Sequence, residues 1–494
     1  MIGGAGPSIA IVDGRGEHTY AALEAAALTV ASRLLTAARV EDLGGVRIAM
    51  RIAPGFDYVA TLLGVWKAGG IAVPLCLSHP GAELAYVLED AKVSLVVSDE
   101  AGEDPLARLA AERGAAFRLS HDLVPTVPAA AGKPMPRITP DRPALILYTS
   151  GTTGRPKGVV SSHAALAASM GALIEAWGWT SEDRILHVLP LHHTHGIVNA
   201  LLCALRVGAT VEMLPGFDAP MVWERFADGQ ATLFMAVPTV YVRLIQNWDE
   251  AAPIEQERRR EGARALRLMV SGSAALPVPV FERWREITGH ALLERYGMTE
   301  IGMALSNPLV GERRPGFVGT PLPGVELCLL DDDGQQVSEG SEGELHVRGP
   351  CLFSEYWGRP EETAAAFRDG WFMTGDMAIL EDGAYRILGR RSVDIIKTGG
   401  FKVSALEVEN VLCGHPDIRE CAVVGVEDPD WGEAVCAVIV CRREIRHDKL
   451  RDWAREQLAP YKLPRRTLRV LELPKNAMGK VTKPEVRKLF EESE

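Results

Sequence analysis

Ten consecutive residues, Thr149-Ser-Gly-Thr-Thr-Gly-Arg-Pro-Lys-Gly158, carry three glycines, four hydroxyl side chains and two cations. Hydroxyls and the backbone N–H groups of a glycine-rich turn can wrap a phosphate, and a lysine supplies fixed positive charge. The run follows the apolar Ala144-Leu-Ile-Leu-Tyr148 and precedes an alanine-rich stretch. That order reads as a turn between a strand and a helix, whose N-terminus would add a favourable dipole. The spacing differs from the G-x-x-x-x-G-K-[ST] phosphate loop, because Pro156 stands where the second glycine belongs. On composition alone, a solvated surface turn accounts for the segment equally well.

Other residues with chemical potential are spread along the chain. The segment Pro190-Leu-His-His-Thr-His-Gly196 holds three histidines, but no further Cys, His or paired carboxylate follows at ligand spacing, which argues against a metal. The eight cysteines show no C-x-x-C pair and lie in apolar surroundings, as thiols in a reducing compartment do. Neither disulfide nor zinc is expected.

Holding such groups in place takes scaffolding, and the chain has room for it. At 494 residues it exceeds the size at which one core keeps growing, so two or more domains are expected. Its 47% hydrophobic and 24% charged content is ordinary for a globular protein. A net charge of −12 repels nucleic acid and anionic lipid, so neither is expected as a main partner. No run of 18 apolar residues occurs, so no spanning helix is expected. The N-terminus shows neither a signal-peptide pattern nor transit-peptide composition, and a cytoplasmic location is expected.

Short apolar runs alternate with amphipathic segments. Val46–Met50, Gly70–Pro74 and Val93–Val97 read as strands, with helices over Tyr58–Lys67 and Ala82–Asp90 between them. A second round places strands near Arg184–Leu189, Thr210–Leu214, Thr232–Ala236 and Leu266–Ser271. The alternation predicts an α/β fold of helix-wound parallel sheets. From Pro323 short alternating strands (Val325–Leu330, Gly343–Arg348) around the Asp333-Gly334 turn predict a small β-rich subdomain. After Gly389-Arg-Arg-Ser-Val-Asp394 comes a compact α+β pattern, with helices near Leu406–Cys413 and Asp448–Leu458 and apolar strands Glu420–Val426 and Ala434–Cys441. The expected division is a large domain over 1–390 and a small mobile domain over 391–494.

Tyr148–Gly158 resembles the signature loop of the acyl-adenylate-forming superfamily, [YF]-T-S-G-[ST]-T-G-x-P-K-G, and the match is complete. Arg295-Tyr-Gly-Met-Thr-Glu300, Thr374-Gly-Asp376 and Pro474-Lys-Asn-Ala-Met-Gly-Lys480 are similar to three further motifs of that family, in the same order. The resemblance implies that a carboxylate attacks the α-phosphorus of ATP, expels pyrophosphate, and is then passed from AMP to a thiol, usually coenzyme A. It implies that Thr149, Ser150, Gly151, Thr152, Thr153, Gly154 and Lys157 hold the β- and γ-phosphates. Thr299 would touch the α-phosphate, Glu300 would ligate Mg²⁺, and Asp376 would bind the ribose hydroxyls. Ser273, Glu294, Tyr296 and Gly297 would complete the nucleotide site. Lys480 would bridge the attacking carboxylate and the α-phosphate, and the Gly399-Gly400-Phe401-Lys402 loop would later reach the coenzyme A channel. The hinge of the family has an acidic residue three places after its arginine, whereas Asp394 is four after Arg390 and three after Arg391. Arg390, which follows Gly389, is the expected ribose contact, with Arg391 in reserve.

The acyl pocket implied by the same resemblance is lined by Pro190–Gly196, where His195 is the expected gate, by Val237–Arg243, by Met303 and by the residue before Tyr296. That residue is Arg295, where most relatives have glycine or alanine. Arg295 and Arg243 at acyl-pocket positions suit a second carboxylate, held by a guanidinium fork. Arg313 and Arg314 are weaker candidates for that role. With "LPLHHTHGIVNALL", "VSGSAALP" and "ERYGMTEIGMALSNP", the chain is similar to malonyl-CoA synthetases within the superfamily. The alternatives are a ligase for another short- or medium-chain acid and a stand-alone adenylation enzyme that loads a carrier protein. The expected assembly is a monomer or weak homodimer.

Overall fold

The computed structural model describes residues 3–100, 105–124, 134–149, 155–476 and 480–491. Two large sheets dominate. The nine-stranded sheet runs parallel through Leu293–Met298, Leu268–Ser271, Leu233–Ala236, Arg184–His187, Thr210–Met213 and Ile9–Asp13, with antiparallel strands at both edges. The seven-stranded sheet has a parallel part made of Pro143–Thr149, Ile71–Pro74, Arg47–Arg51, Leu95–Ser98 and Ala116–Leu119. The predicted α/β alternation therefore forms as expected.

One apolar core draws Ile48 and Leu145 from one sheet and Ile185 and Val211 from the other, together with the helices Tyr20–Ala38, Phe56–Lys67 and His163–Trp177. These helices are thus sandwiched between the sheets, while a separate core covers each outer face. Layers alternate helix, sheet, helix, sheet, helix, which is how parallel sheets bury both faces. On the outer face of the larger sheet, Trp223, Trp248 and Trp284 pack with ring centroids 5.5–5.6 Å apart. Such aromatic contacts add about 0.5–1.5 kcal/mol each beyond the burial itself.

One expectation needs correction. Thr149 pairs with Lys157 across antiparallel strands Pro143–Thr149 and Lys157–Ser162, so the strand before the glycine-rich segment is followed by another strand and not directly by a helix. The alanine-rich helix starts only at His163, capped by Ser162. The helix Tyr20–Ala38 is long and apolar enough to cross a membrane by length and composition, although Glu24 and Arg33 interrupt any purely apolar run. It is a core helix here, with Leu23, Ala27, Val30 and Leu35 fully buried. The hairpin Ile9–Asp13/Gly16–Thr19, which extends the larger sheet, was not anticipated.

A third sheet, Glu326–Leu330, Glu342–Arg348, Phe367–Arg368, Trp371–Glu381 and Ala384–Arg390, carries Thr374, Asp376 and Arg390. The strands after Arg390 join a fourth sheet, Ile395–Thr398, Phe401–Ser404, Ile418–Asp428, Gly432–Cys441 and Arg466–Arg469, and share no ladder with the third. Helices Ala405–Cys413, His447–Arg455 and Lys483–Glu491 pack on it.

Candidate active site

In helix-wound sheets, ligands gather at the carboxyl ends of the parallel strands. The segment after Arg184–His187 brings His195 there, the end of Leu268–Ser271 brings Ser273, and Leu293–Met298 brings Glu294, Arg295 and Tyr296. Ser273 sits between two of these groups. Its Oγ is 3.3 Å from His195 Nδ1 and accepts from Arg295 Nη2 at 3.2 Å. Ser273 has φ +71, an uncommon backbone conformation for a residue with a side chain.

Arg295 is 3% exposed, and its Nε has no partner. Burial drives its guanidinium down to about 9, with Glu294 opposing the shift. Glu294 itself is pushed up to about 8 by burial, and its Oε1 accepts from the Leu276 backbone N–H. The arginine thus keeps a buried cationic head with one neutral hydrogen bond and no carboxylate salt bridge among the described residues. Leaving a cation so poorly compensated is costly unless an anion arrives. His195 is likewise buried with its Nε2 unpartnered, and burial followed by the Arg295 charge keeps its imidazole neutral.

Gly272 makes this placement available, since a Cβ there would stand 2.6 Å from Arg295 Cζ. Gly272→Ala should therefore push the guanidinium off Ser273. A displacement of this size costs on the order of 10²-fold in kcat/KM for an anionic substrate. The KM for nucleotide should stay within error, and an equal rise in both would mean a global disturbance instead.

A second group of side chains gathers where the third sheet meets Tyr296. Tyr296 donates to Asp376 Oδ2 at 2.5 Å, Arg390 Nε donates to Asp376 Oδ1 at 2.9 Å, and Thr374 Oγ1 receives the Asp376 N–H. Arg391 turns outward to Glu344 and Asp332, so of the two hinge arginines it is Arg390 that faces the cleft. Glu300 is buried and accepts from Tyr356 at 3.0 Å. Burial raises its carboxyl above the ordinary range, an effect only partly offset by Tyr356 and Arg390. Thr299 is half-buried beside it, and Met303 is buried against Gly297. Lys157 pairs with Glu362 at 2.5 Å and lies over the Tyr356 ring at 4.9 Å. Ser150, Gly151, Thr152, Thr153 and Gly154 lie outside the described residues.

The small domain contributes Lys480. Its backbone N–H is held by Asn476 Oδ1 at 3.0 Å. Although part of the residue is solvent-accessible, packing around the amine, then the charges of Arg295 and Arg390, lower its basicity. Lys480 in turn acts on His193 and His195. The charges of Arg295 and Arg390 thus bear on Lys480, and those of Arg295 and Lys480 on neutral His195.

Several expected residues lie elsewhere. Arg313 spends its donors on the carbonyls of Pro308, Ala291 and Leu309, and Arg314 stacks on Phe317 at 3.7 Å and reaches Glu381 O. Neither guanidinium is free for a substrate, which corrects their assignment to the pocket. Arg243 is exposed on the second turn of Pro238–Asp249, directly after the strand Leu233–Ala236, with no ion-pair partner among the described residues. Gly399 and Gly400, with φ +55 and +83, form the two-residue turn of the hairpin Ile395–Thr398/Phe401–Ser404. Phe401 stacks on Tyr461, and Lys402 pairs with Asp332 at 2.9 Å, which faces the hairpin toward the third sheet rather than the cleft. Tyr356 and Glu362, the partners of Glu300 and Lys157, escaped the sequence reading. They belong to "SEYWGRPEET", far away in the chain, and only folding brings them near.

The chain is similar to known proteins over nearly its whole length. The model of the AMP-binding enzymes matches residues 4–357, and that of the AMP-binding enzyme C-terminal domain matches 407–480. The mitochondrial malonate–CoA ligase of Mus musculus is 49% identical, with 98% of this chain and 88% of that protein aligned. ATP-bound MatB from Rhodopseudomonas palustris superposes with a TM-score of 0.88 at 35% identity, over 98% of this chain and 96% of that one. A malonyl-CoA ligase in ternary product complex with methylmalonyl-CoA and AMP is 38% identical but superposes with a TM-score of only 0.69, over 95% and 97%.

Proposed function

This chain belongs to the AMP-binding enzyme family, and from that premise we propose that it joins malonate, or its α-methyl homologue, to coenzyme A through an acyl-adenylate made from ATP. The observation that carries the substrate reading is Arg295, a buried guanidinium without a carboxylate partner at the acyl end of the cleft. A distal carboxylate supplies that partner. Arg243, at the same edge of the sheet, joins it in this reading, and His195 with Ser273 walls the space between.

In the first step a carboxylate oxygen of malonate attacks the α-phosphorus and pyrophosphate leaves. Negative charge grows on the oxygens around phosphorus, where Lys480 and Thr299 provide a fixed cation and a donor. Asp376, held by Tyr296 and Arg390, receives the ribose hydroxyls, and Glu294 and Gly297 border the base. Thr149, Lys157 and the loop Ser150–Gly154 hold the outer phosphates, with Lys157 leaving Glu362 for them. Glu300 suits a magnesium ion, because a hard cation relieves a carboxylate that burial disfavours. When bound, the ion neutralises phosphate charge. In the second step the thiol sulfur of coenzyme A attacks the acyl carbonyl and AMP leaves. This reading divides the chain at Arg390, where one sheet ends before the next begins, so that 391–494 can turn as a unit. A reducing compartment such as the cytoplasm fits the eight free cysteines.

The test is a pyrophosphate-release screen over mono- and dicarboxylic acids with ATP, Mg²⁺ and coenzyme A. The highest kcat/KM should fall to malonate or methylmalonate. A monocarboxylic acid at the top of the series would overturn the assignment.

A further inference from the structure

A carboxylate outside the reacting groups ties down both stems of the glycine-rich segment. Asp90 ends the helix Gly81–Asp90. Its Oδ2 accepts from the Tyr148 hydroxyl at 2.7 Å, and its Oδ1 accepts from Arg359 Nη2 at 3.1 Å. Arg359 Nη2 also donates to the hydroxyl of Tyr86, on the same helix as Asp90, at 3.0 Å. That hydroxyl has a single proton, and the Pro156 carbonyl at 2.7 Å is a nearer acceptor for it than Asp90 at 3.4 Å. Tyr148 immediately precedes Thr149, and Pro156 immediately precedes Lys157, the two residues that pair across the strands. One carboxylate thus holds the chain on both sides of residues 150–154, directly at Tyr148 and through Arg359 and Tyr86 at Pro156. Arg359 Nη1 further donates to Glu362, the carboxylate that Lys157 meets. The side chains of Asp90 and Arg359 are 19% and 27% exposed, so water screens their pairing less than it does an open surface pair.

We infer that Asp90 is a positioning residue for the outer phosphates of ATP: through Tyr148, Arg359 and Tyr86 it sets the stems from which Thr149 and Lys157 reach them. The inference rests on the reading of this segment as the site of the β- and γ-phosphates. Three glycines within Thr149–Gly158 leave the backbone there unusually free, and ordering it on binding costs affinity. Stems already held at a fixed spacing remove part of that cost, which is what preorganisation does for a ligand. A carboxylate suits the task because its two oxygens accept from the tyrosine and the guanidinium at once. An asparagine keeps the shape but turns one of those acceptors into a donor, so one of the two ties is lost.

The experiment measures binding of ATP and, separately, of AMP to the native enzyme by titration calorimetry, alongside the two half-reactions. Asp90→Asn should weaken ATP binding by roughly 10-fold, the usual loss with a charge-assisted hydrogen bond, and raise the KM for ATP in step. AMP binding, the KM for malonate and thioester formation from presynthesised malonyl-AMP should stay within error, because none of them involves a β- or γ-phosphate. Tyr148→Phe, which removes only the hydroxyl, should show the same pattern and decides the matter if Asp90→Asn fails to fold. The double variant should lose less than the two single losses combined, since both remove one shared bond. Unchanged ATP affinity in Asp90→Asn and Tyr148→Phe would overturn the inference. Equal losses for ATP, AMP and the malonyl-AMP reaction would also overturn it, by assigning Asp90 to the fold at large. Lys157→Ala with ATP affinity intact would overturn the phosphate reading of the segment itself, and the inference with it.

Discussion

Replacing Lys480 by alanine should abolish formation of the acyl-adenylate while largely sparing thioester formation from presynthesised malonyl-AMP. Lys480 carries its charge within reach of Arg295, Arg390 and His195, where on the proposed reading a carboxylate and an α-phosphate would meet. Removing a preorganised group that stabilises developing charge costs at least about 10²-fold. On the proposed reading the second half-reaction would draw on another face of the small domain. The hairpin with Gly399, Gly400 and Lys402 is docked on Asp332, and on that reading would have to leave it to reach the acyl group. Asp332 also holds Arg391, but all three partners are about half exposed. Exposed pairs of this kind contribute about 0–1 kcal/mol each, too little to lock the small domain in one orientation. Single-turnover rates for the two half-reactions, measured separately, test this. Equal losses in both would mean that Lys480 serves the whole cycle or the fold, and the two-face account would fail.

Replacing Arg295 by glycine should lower kcat/KM for malonate by roughly 10²–10⁴, the equivalent of the roughly 3–5 kcal/mol lost when a buried charge pair is broken. Propionate should lose far less, or gain, because the variant no longer buries an uncompensated guanidinium beside an apolar chain end. Arg243→Ala should move in the same direction, by less, since that residue is exposed and water screens its charge. Measuring kcat/KM for both acids in each variant separates the explanations. A uniform drop for malonate and propionate would assign Arg295 to folding or to the nucleotide, and the dicarboxylate reading would lose its physical basis.

The sequence by itself determined the family resemblance and the layering. Tyr148–Gly158, Arg295–Glu300, Thr374–Asp376 and Pro474–Lys480 match family motifs, a match that needs no coordinates. The alternation of apolar runs with amphipathic segments was likewise local, and the strands at Arg47–Arg51, Ile71–Pro74 and Leu268–Ser271 form within two residues of expectation. Only the tertiary structure decided which arginine faces what. Arg295, Arg313 and Arg314 look alike in the sequence, yet the first is buried against Ser273 with a donor to spare, while the others are consumed by backbone carbonyls and Phe317. The choice between Arg390 and Arg391 also rests on contacts, Arg390 with Asp376 across a hairpin and Arg391 with Glu344 on a strand well back in the chain. The same holds for Tyr356 on Glu300 and Glu362 on Lys157. Propensity and periodicity act over a few residues, but charge compensation and donor use depend on partners up to a hundred residues and more away. Those partners meet only when the sheets pack.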